Sequence, residues 1–444
     1  MACEWAERPI GELAEIFDGP HATPAKTKSG PVFLGISNLA QGRLNLDEVE
    51  HLSEDDYVRW TRRVEPQAGD VVFSYETRLG EAARVPKGLR CCLGRRMGLL
   101  RARKGEVDER FLLYVYLGAQ FQETLRSCTI HGSTVDRIPL IDMPRFPILA
   151  PTDLGEQRVI AHILGTLDDK IELNRRMNET LEAMARAVFK SWFVDFDPVR
   201  SKAEDRAPGL PQPLADLFPD SFEDSEMGAI PRGWEVKPLS DCVDVARGLS
   251  YKGSGLSECG IPMHNLNSIY EGGGYKHDGL KRYDGDYKSQ HVAHAGDLIV
   301  ANTEQGHDRL LIGYAAIVPA RFGQQSLFSH HIYRVRPKPD CELTADYLCH
   351  LLNTSVMHDI VSGYANGTTV NMLPLDGLQS PLIVVPDARA ISVFSGIAEA
   401  ARMRNEEMIG ESRTLSALRD LLLPKLISGD VRARTTEPRT AVVR

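Results

Sequence analysis

Residues whose types and spacing could do chemistry are few in this sequence. The most suggestive set is Pro219-Asp220 followed by Glu235-Val-Lys237, the outline of a metal-dependent nuclease motif. It is short and common by chance, and Pro219-Asp220 falls in a stretch where no rigid strand would hold a metal. No Asn/Asp-Pro-Pro-aromatic motif for amino-methylation occurs; Asp197-Pro198 lacks both the second proline and the aromatic. No G-x-x-x-x-G-K-[ST] phosphate loop occurs either. The eight cysteines include Cys91 and Cys92 but no C-x-x-C pair and no Cys/His cluster at zinc-ligand spacing, so they read as reduced thiols. No catalytic residue, no metal site and no cofactor bound by this chain is expected.

Contact with a polyanion is better supported. From Arg84 to Lys104 the chain carries Arg84, Lys87, Arg90, Arg95, Arg96, Arg101, Arg103 and Lys104 with no acidic residue among them. A solvated face usually mixes signs, so the run reads as a phosphate-facing surface, with Arg78 just before it. Plain surface arginines remain the alternative. Arg95 and Arg96 follow Gly94 at an expected loop tip, where arginine can present two donors to guanine O6 and N7. His330 and His331, ahead of a strand holding Arg334, occupy the equivalent place later in the chain. The turns at Gly132-Ser133-Thr134 and Gly367-Thr368-Thr369 offer amides and hydroxyls for a phosphate, or are simply structural glycine turns.

That equivalence comes from an internal duplication. Ala68-Gly-Asp-Val-Val-Phe73 recurs as Ala295-Gly-Asp-Leu-Ile-Val300, Gly80-Glu-Ala-Ala-Arg-Val-Pro86 as Gly313-Tyr-Ala-Ala-Ile-Val-Pro319, and Gly132–Leu140 as Gly367–Leu375. Trp5-Ala-Glu-Arg-Pro is likewise matched by Trp234-Glu-Val-Lys-Pro. The matches keep their order at an offset near half the chain. The 444 residues, with 42% hydrophobic and 25% charged, have room for two or three domains. A net charge of −9 argues against a uniformly basic coat but not against local DNA-binding patches. No secretory signal and no apolar run of membrane-spanning length is read, so the protein is expected to be soluble and cytoplasmic.

Each copy has two parts. The first, a mixed α/β globule, has buried strands at Val71-Val-Phe73 and Leu298-Ile-Val300 and short helices at Phe111–Leu117 and Tyr347–Leu352. The second is a long helix. Ile160, Leu167, Asn174, Leu181 and Val188 form a seven-residue seam, with Asn174 as a register-fixing polar intrusion, and Met184 lies among the other apolar positions. Phe394, Ile397, Ala401, Met408, Leu415, Leu418 and Leu422 are its counterparts in the second copy. The fold class is therefore α+β, two mixed domains joined by two long helices in an antiparallel coiled coil. The expected segments are 1–152 and 229–386 for the two globules, 153–197 and 387–430 for the helices, 198–228 for an extended linker, and 431–444 for a flexible tail.

Gly155-Glu-Gln-Arg-Val-Ile-Ala161, Leu167-Asp-Asp-Lys-Ile171 and Phe189-Lys-Ser-Trp-Phe-Val-Asp-Phe-Asp-Pro198 closely resemble the central conserved region of Type I restriction–modification specificity subunits. Leu418–Asp430 resembles that family's C-terminal conserved region, and Gly228-Ala-Ile-Pro-Arg-Gly-Trp234 its usual entry to a second target-recognition domain. The likeness covers almost the whole chain. Pro386-Asp-Ala-Arg-Ala-Ile391 departs from it, lacking the Glu-Gln that opens the first helix. The resemblance implies a non-catalytic subunit that reads a bipartite double-stranded DNA target. It also implies partners: two modification (methylase) subunits using S-adenosylmethionine and restriction (motor/nuclease) subunits using ATP and Mg, with no membrane. Lys190, Trp192 and Phe193 are expected to form the subunit-docking surface, the aromatics as exposed anchors. Two rivals stay open: a self-standing coiled-coil DNA-binding regulator, and a nuclease built on the Asp220 motif.

Overall fold

The computed structural model describes residues 5–433 except 41, 48, 133–134, 307–308, 324 and 368–369. Contacts divide the chain into two compact units, 1–173 with 411–444, and 174–410.

In the first unit, β1 (Trp5–Pro9) leads through one helical turn into β2 (Ala14–Asp18), and β3 (Thr27–Leu34) precedes helix α1 (Glu54–Trp60). Strands β4 (Val71–Ser74), β5 (Ala82–Arg84), β6 (Cys91–Leu93) and β7 (Met97–Ala102) follow, then α2 (Glu109–Leu117) and β8 (Pro147–Pro151). The central antiparallel sheet has the order β2-β7-β4-β5. β6 lies parallel to β3, and β1 pairs with β8 from Trp5↔Pro151 to Pro9↔Pro147. All four residues of β4 are buried, as a strand covered on both faces requires. One sheet face packs Val71, Phe73 and Leu100 against Phe111 and Val115 of α2; the other packs Val72 and Leu99 with Leu34 and Leu93.

The second unit repeats this plan strand for strand. β9 (Glu235–Pro238), β10 (Val243–Arg247) and β11 (Leu256–His264) precede β12 (Leu298–Ala301), β13 (Ala315–Ile317), β14 (Ser326–Phe328) and β15 (Ile332–Pro337). Helix α3 (Ala345–Leu352) and β16 (Leu382–Val385) complete the set. The sheet order is β10-β15-β12-β13, β11 runs parallel to β14, and β9 pairs with β16. Both Ala-Gly-Asp turns place glycine in the left-handed region, φ 95° at Gly69 and 87° at Gly296. Both then use the aspartate identically. Asp70 receives Arg101 Nε and Nη2 at 3.0 and 2.6 Å, and Asp297 receives Arg336 Nε and Nη2 at 2.5 and 2.6 Å. The duplication read from short motifs thus extends to topology and to a part-buried charge pair.

The two long helices, Leu154–Phe193 and Ala388–Ile427, have 40 residues each, about 60 Å at 1.5 Å per residue. On the first, positions 157, 160, 164, 167, 171, 174, 178, 181, 185, 188 and 192 are buried or half-buried; on the second, 391, 394, 398, 401, 405, 408, 412, 415, 419, 422 and 426 are. The alternating spacing of three and four is a full coiled-coil seam. Within the first unit Asp168 pairs with Arg419 at 2.9 Å and Lys170 with Glu411 at 3.2 Å. Within the second, Asn174 Nδ2 donates to the Met408 carbonyl at 3.4 Å and Asn405 Nδ2 to Glu182 at 3.3 Å. In both units partner numbers fall along one helix as they rise along the other, so the strands of the pair are antiparallel. Ile397, Leu418 and Met184 do not belong to the seam: they are exposed, being one residue away from its turns.

Two expectations are corrected. Segment 198–228 is not an extended linker: Asp197–Ala203 and Gln212–Ala215 are helical, and Phe222–Ser225 pairs with Gly228–Pro231 as a hairpin. Val199 and Phe218 hold it in the second unit's core, with Ile230 of the hairpin beside them. The last residues described are not a frayed tail, since Arg432 pairs with Glu156 at 3.5 Å and lies over the Trp5 ring. Residues 434–444 lie outside the described residues. The two helix starts also differ. Gln157, buried, donates to the Pro151 carbonyl and accepts from the Asp108 amide, both at 2.8 Å, whereas its seam counterpart is the apolar Ile391. Among the described residues no helix is long and apolar enough to cross a membrane.

Candidate nucleic-acid interface

The turn joining β6 to β7 exposes Arg95 and holds Arg96 at φ 71°. A non-glycine residue with positive φ is strained, and such strain persists where neighbours fix it. Here the Arg96 guanidinium pairs with Glu76 at 2.8 Å and its carbonyl accepts from the Tyr75 amide at 3.2 Å. The matching turn, β14 to β15, carries His330 and His331 with ring centroids 3.9 Å apart. His331 Nδ1 contacts Thr303 Oγ1 at 2.9 Å, and burial together with the His330 charge lowers its pKa.

The rest of the basic run is divided by its partners. Arg90 forms a bidentate pair with Glu54 at 3.0 and 2.8 Å and lies over Tyr57. Arg101 is the sheet clamp to Asp70 described above, and Arg103 reaches Glu15 at 3.1 Å. The run lacks acids in sequence, yet the fold supplies them from β2, α1 and the β4 turn. Arg84 ends β5 half-buried, while Lys87 is exposed in the next turn. Arg78 donates to the carbonyls of Ile36 and Leu39 at 3.3 and 3.0 Å, so it fastens a loop. Arg334 donates to the Val292 carbonyl over the Phe328 ring and is half-buried. Ser133, Thr134, Thr368 and Thr369 lie outside the described residues. Their flanking glycines are required by close backbone approach: a Cβ on Gly132 would lie 2.5 Å from the Val135 carbonyl oxygen, and one on Gly367 2.1 Å from that of Val370.

Two features were missed from sequence. A groove of about 550 Å³ in the first unit is lined by Asp18, His21, Arg59, Trp60, Arg62 and Arg63 beside Leu93 of the Arg95 turn. The dense stretch Arg59-Trp-Thr-Arg-Arg63 was its available signal, a basic cluster interleaved with an aromatic. In the second unit a cleft of about 260 Å³ brings Tyr251, Asn267, Lys281 and Thr303 around His331. Lys281 Nζ donates to Tyr251 Oη at 2.8 Å. No local signal marks these residues, which come from four separate segments.

The docking expectation for the aromatics is overturned. Trp192 is 4% and Phe193 7% exposed, packed with Phe218, Trp234, Tyr347 and Phe394 in the second unit's core. They fall on the inward side of the helix, so they hold the unit together. Lys190 is exposed and pairs with Asp195. Glu235 and Lys237 pair with each other at 2.5 Å, and among the described residues no group of three or more His, Cys, Asp or Glu side chains could hold a metal ion.

Residues 3–183 match the model of the Type I restriction modification DNA specificity domain. Over that stretch the chain is similar to this family's specificity domain. It is 27% identical to the Type I restriction enzyme HindI specificity subunit of Haemophilus influenzae, over 63% of this chain and 68% of that one. It is 24% identical to the MjaIX specificity subunit of Methanocaldococcus jannaschii, over 74% and 70%. The crystal structure of an S subunit from M. genitalium shares the fold, with a TM-score of 0.61 at 14% identity over 96% of both chains. The family model stops within the first long helix, so the second specificity unit is recognised by topology.

Proposed function

We infer that this specificity subunit reads a bipartite double-stranded DNA target, each unit recognising one half, without catalysing any step itself. The observation that carries the reading is the repeated sheet whose equivalent turns hold different side chains, Arg95-Arg96 in one and His330-His331 in the other. A shared frame with unlike readers suits two unlike half-sites. Arginine supplies paired donors for guanine, and histidine a single donor or acceptor at a base edge. The basic groove around Arg59, Arg62 and Arg63 supplies phosphate contacts that set orientation. Two modification subunits, bringing S-adenosylmethionine, dock on the outer faces of the long helices, where Leu173, Met184, Met403 and Leu421 are exposed. Restriction subunits bring ATP and Mg.

The test is to reconstitute the chain with its modification subunits and sequence modified adenines across random DNA. A split motif with one modified adenine in each half is expected. Tight site-specific binding by the isolated chain, with no gain from the partners, would instead establish a self-standing regulator.

A further inference from the structure

The duplicated frame allows each unit to serve as the reference for the other, and one rigidly held position differs in charge sign. Asp18 ends β2 opposite Gly98, and Arg247 ends β10 opposite Tyr333. Gly98 and Tyr333 stand equally far beyond the two polar turns, so Asp18 and Arg247 occupy one register position on one sheet face. Each precedes a glycine that cannot be replaced. A Cβ on Gly19 would lie 2.5 Å from the Met97 carbonyl oxygen, and one on Gly248 2.1 Å from that of Ser329. The backbone is locked there by further bonds: Gly19 N to Met97 O at 2.9 Å, and Leu249 N to Phe328 O at 2.8 Å. These residues are therefore clamped beside Arg95-Arg96 and His330-His331 respectively.

Asp18 faces the basic groove, its Oδ2 meeting His21 Nε2 at 3.0 Å and Arg63 Nη1 at 3.5 Å. The Arg247 side chain is exposed and makes no hydrogen bond or ion pair to any described residue. An internal structural pair would be kept or inverted together with its partner. Here Asp18 keeps partners of its own whereas the Arg247 side chain has none among the described residues, so the inversion is not one internal pair exchanged for another.

We propose that Asp18 and Arg247 are specificity-determining residues of the two half-sites, Asp18 accepting from the exocyclic amine of cytosine and Arg247 donating to O6 and N7 of guanine. This rests on the bipartite reading above. A carboxylate near a phosphate backbone is unfavourable unless a base amine meets it, which makes it a device for rejecting other bases as much as for binding one. His21 and Arg63 hold it in place and offset its charge.

The experiment uses the full complex of this chain with its modification subunits and a duplex library randomised in both half-sites, read by sequencing of modified DNA. Asp18→Asn, isosteric and uncharged, is expected to reduce preference for cytosine at one base pair of one half by about 5- to 150-fold. The other half and the gap should be unchanged. Arg247→Ala, at an exposed side chain that no fold contact depends on, is expected to do the same for guanine in the opposite half. Loss spread evenly over all sequences, or unaltered preferences in both variants, overturns the assignment while leaving the bipartite reading standing. A wild-type complex with no split motif overturns that reading and this one with it.

Discussion

His264 shows how one residue's environment becomes a solution property. It is buried in the second unit, with its two ring nitrogens 2.9 Å from Tyr275 Oη and Ser326 Oγ, and the Phe322 ring against it. Burial, with Arg321 nearby, lowers its pKa from 6.5 to about 3. The unfolded chain binds a proton there below pH 6.5 that the folded chain refuses until about pH 3. Its contribution to stability is thus complete above pH 6.5 and is lost as pH falls through that window, at up to about 1.4 kcal/mol per pH unit. His331 and His350, also lowered by burial, add to the same slope. In His264→Gln, urea midpoints measured from pH 7 to pH 4 should fall less steeply than in the parent. An identical slope would remove His264 as a source.

At the scale of elements, the long helices serve two ends. Their seam carries both apolar packing and polar positions, and their termini are built into the cores of the units. Phe189, Trp192 and Phe193 lie in one aromatic cluster with Phe394, at centroid distances of 5.3 to 6.1 Å. Trp192→Ala is therefore expected to cost about 3–5 kcal/mol of stability in the second unit, as large aromatic deletions from cores do. Calorimetry or chemical denaturation measures it. A variant of parental stability that loses only its partner subunits would return Trp192 to the docking surface. Polar seam residues such as Asn174 and Asn405 trade stability for a defined register, since only some alignments satisfy them.

For the whole molecule, the antiparallel helices are proposed as the ruler that sets the gap between half-sites. Asn178 lies between Asn174, which meets Met408, and Glu182, which meets Asn405, so its level on the other helix falls between Asn405 and Met408. Seven-residue insertions after Asn178 and after Asn405 would keep the seam in phase and add about 10 Å. That is close to three base pairs at about 3.4 Å each. With half-sites fixed and the gap varied, the preferred gap should lengthen by about three, with some loss of affinity because the readers rotate around the duplex. A preferred gap that does not move would leave the helices as a docking platform only.

Sequence alone determined what local patterning carries: the duplication, the buried strands at Val71–Phe73 and Leu298–Val300, the α+β class and the two long helices. Each depends on periodicity or on a glycine-bounded motif that few conformations satisfy. Tertiary structure decided which side of a residue faces water. Trp192 and Phe193 looked like exposed anchors because helical periodicity does not say what the opposite face meets. Arg90, Arg96, Arg101 and Arg103 looked unpaired because Glu54, Glu76, Asp70 and Glu15 approach from other segments. The proline-rich stretch looked extended because burial of Val199, Phe218 and Ile230 depends on a core that its own residues do not reveal. Asp18 and Arg247 became comparable only once strand register placed them opposite Gly98 and Tyr333. Register is fixed by pairing across the sheet, between residues some 80 positions apart in sequence.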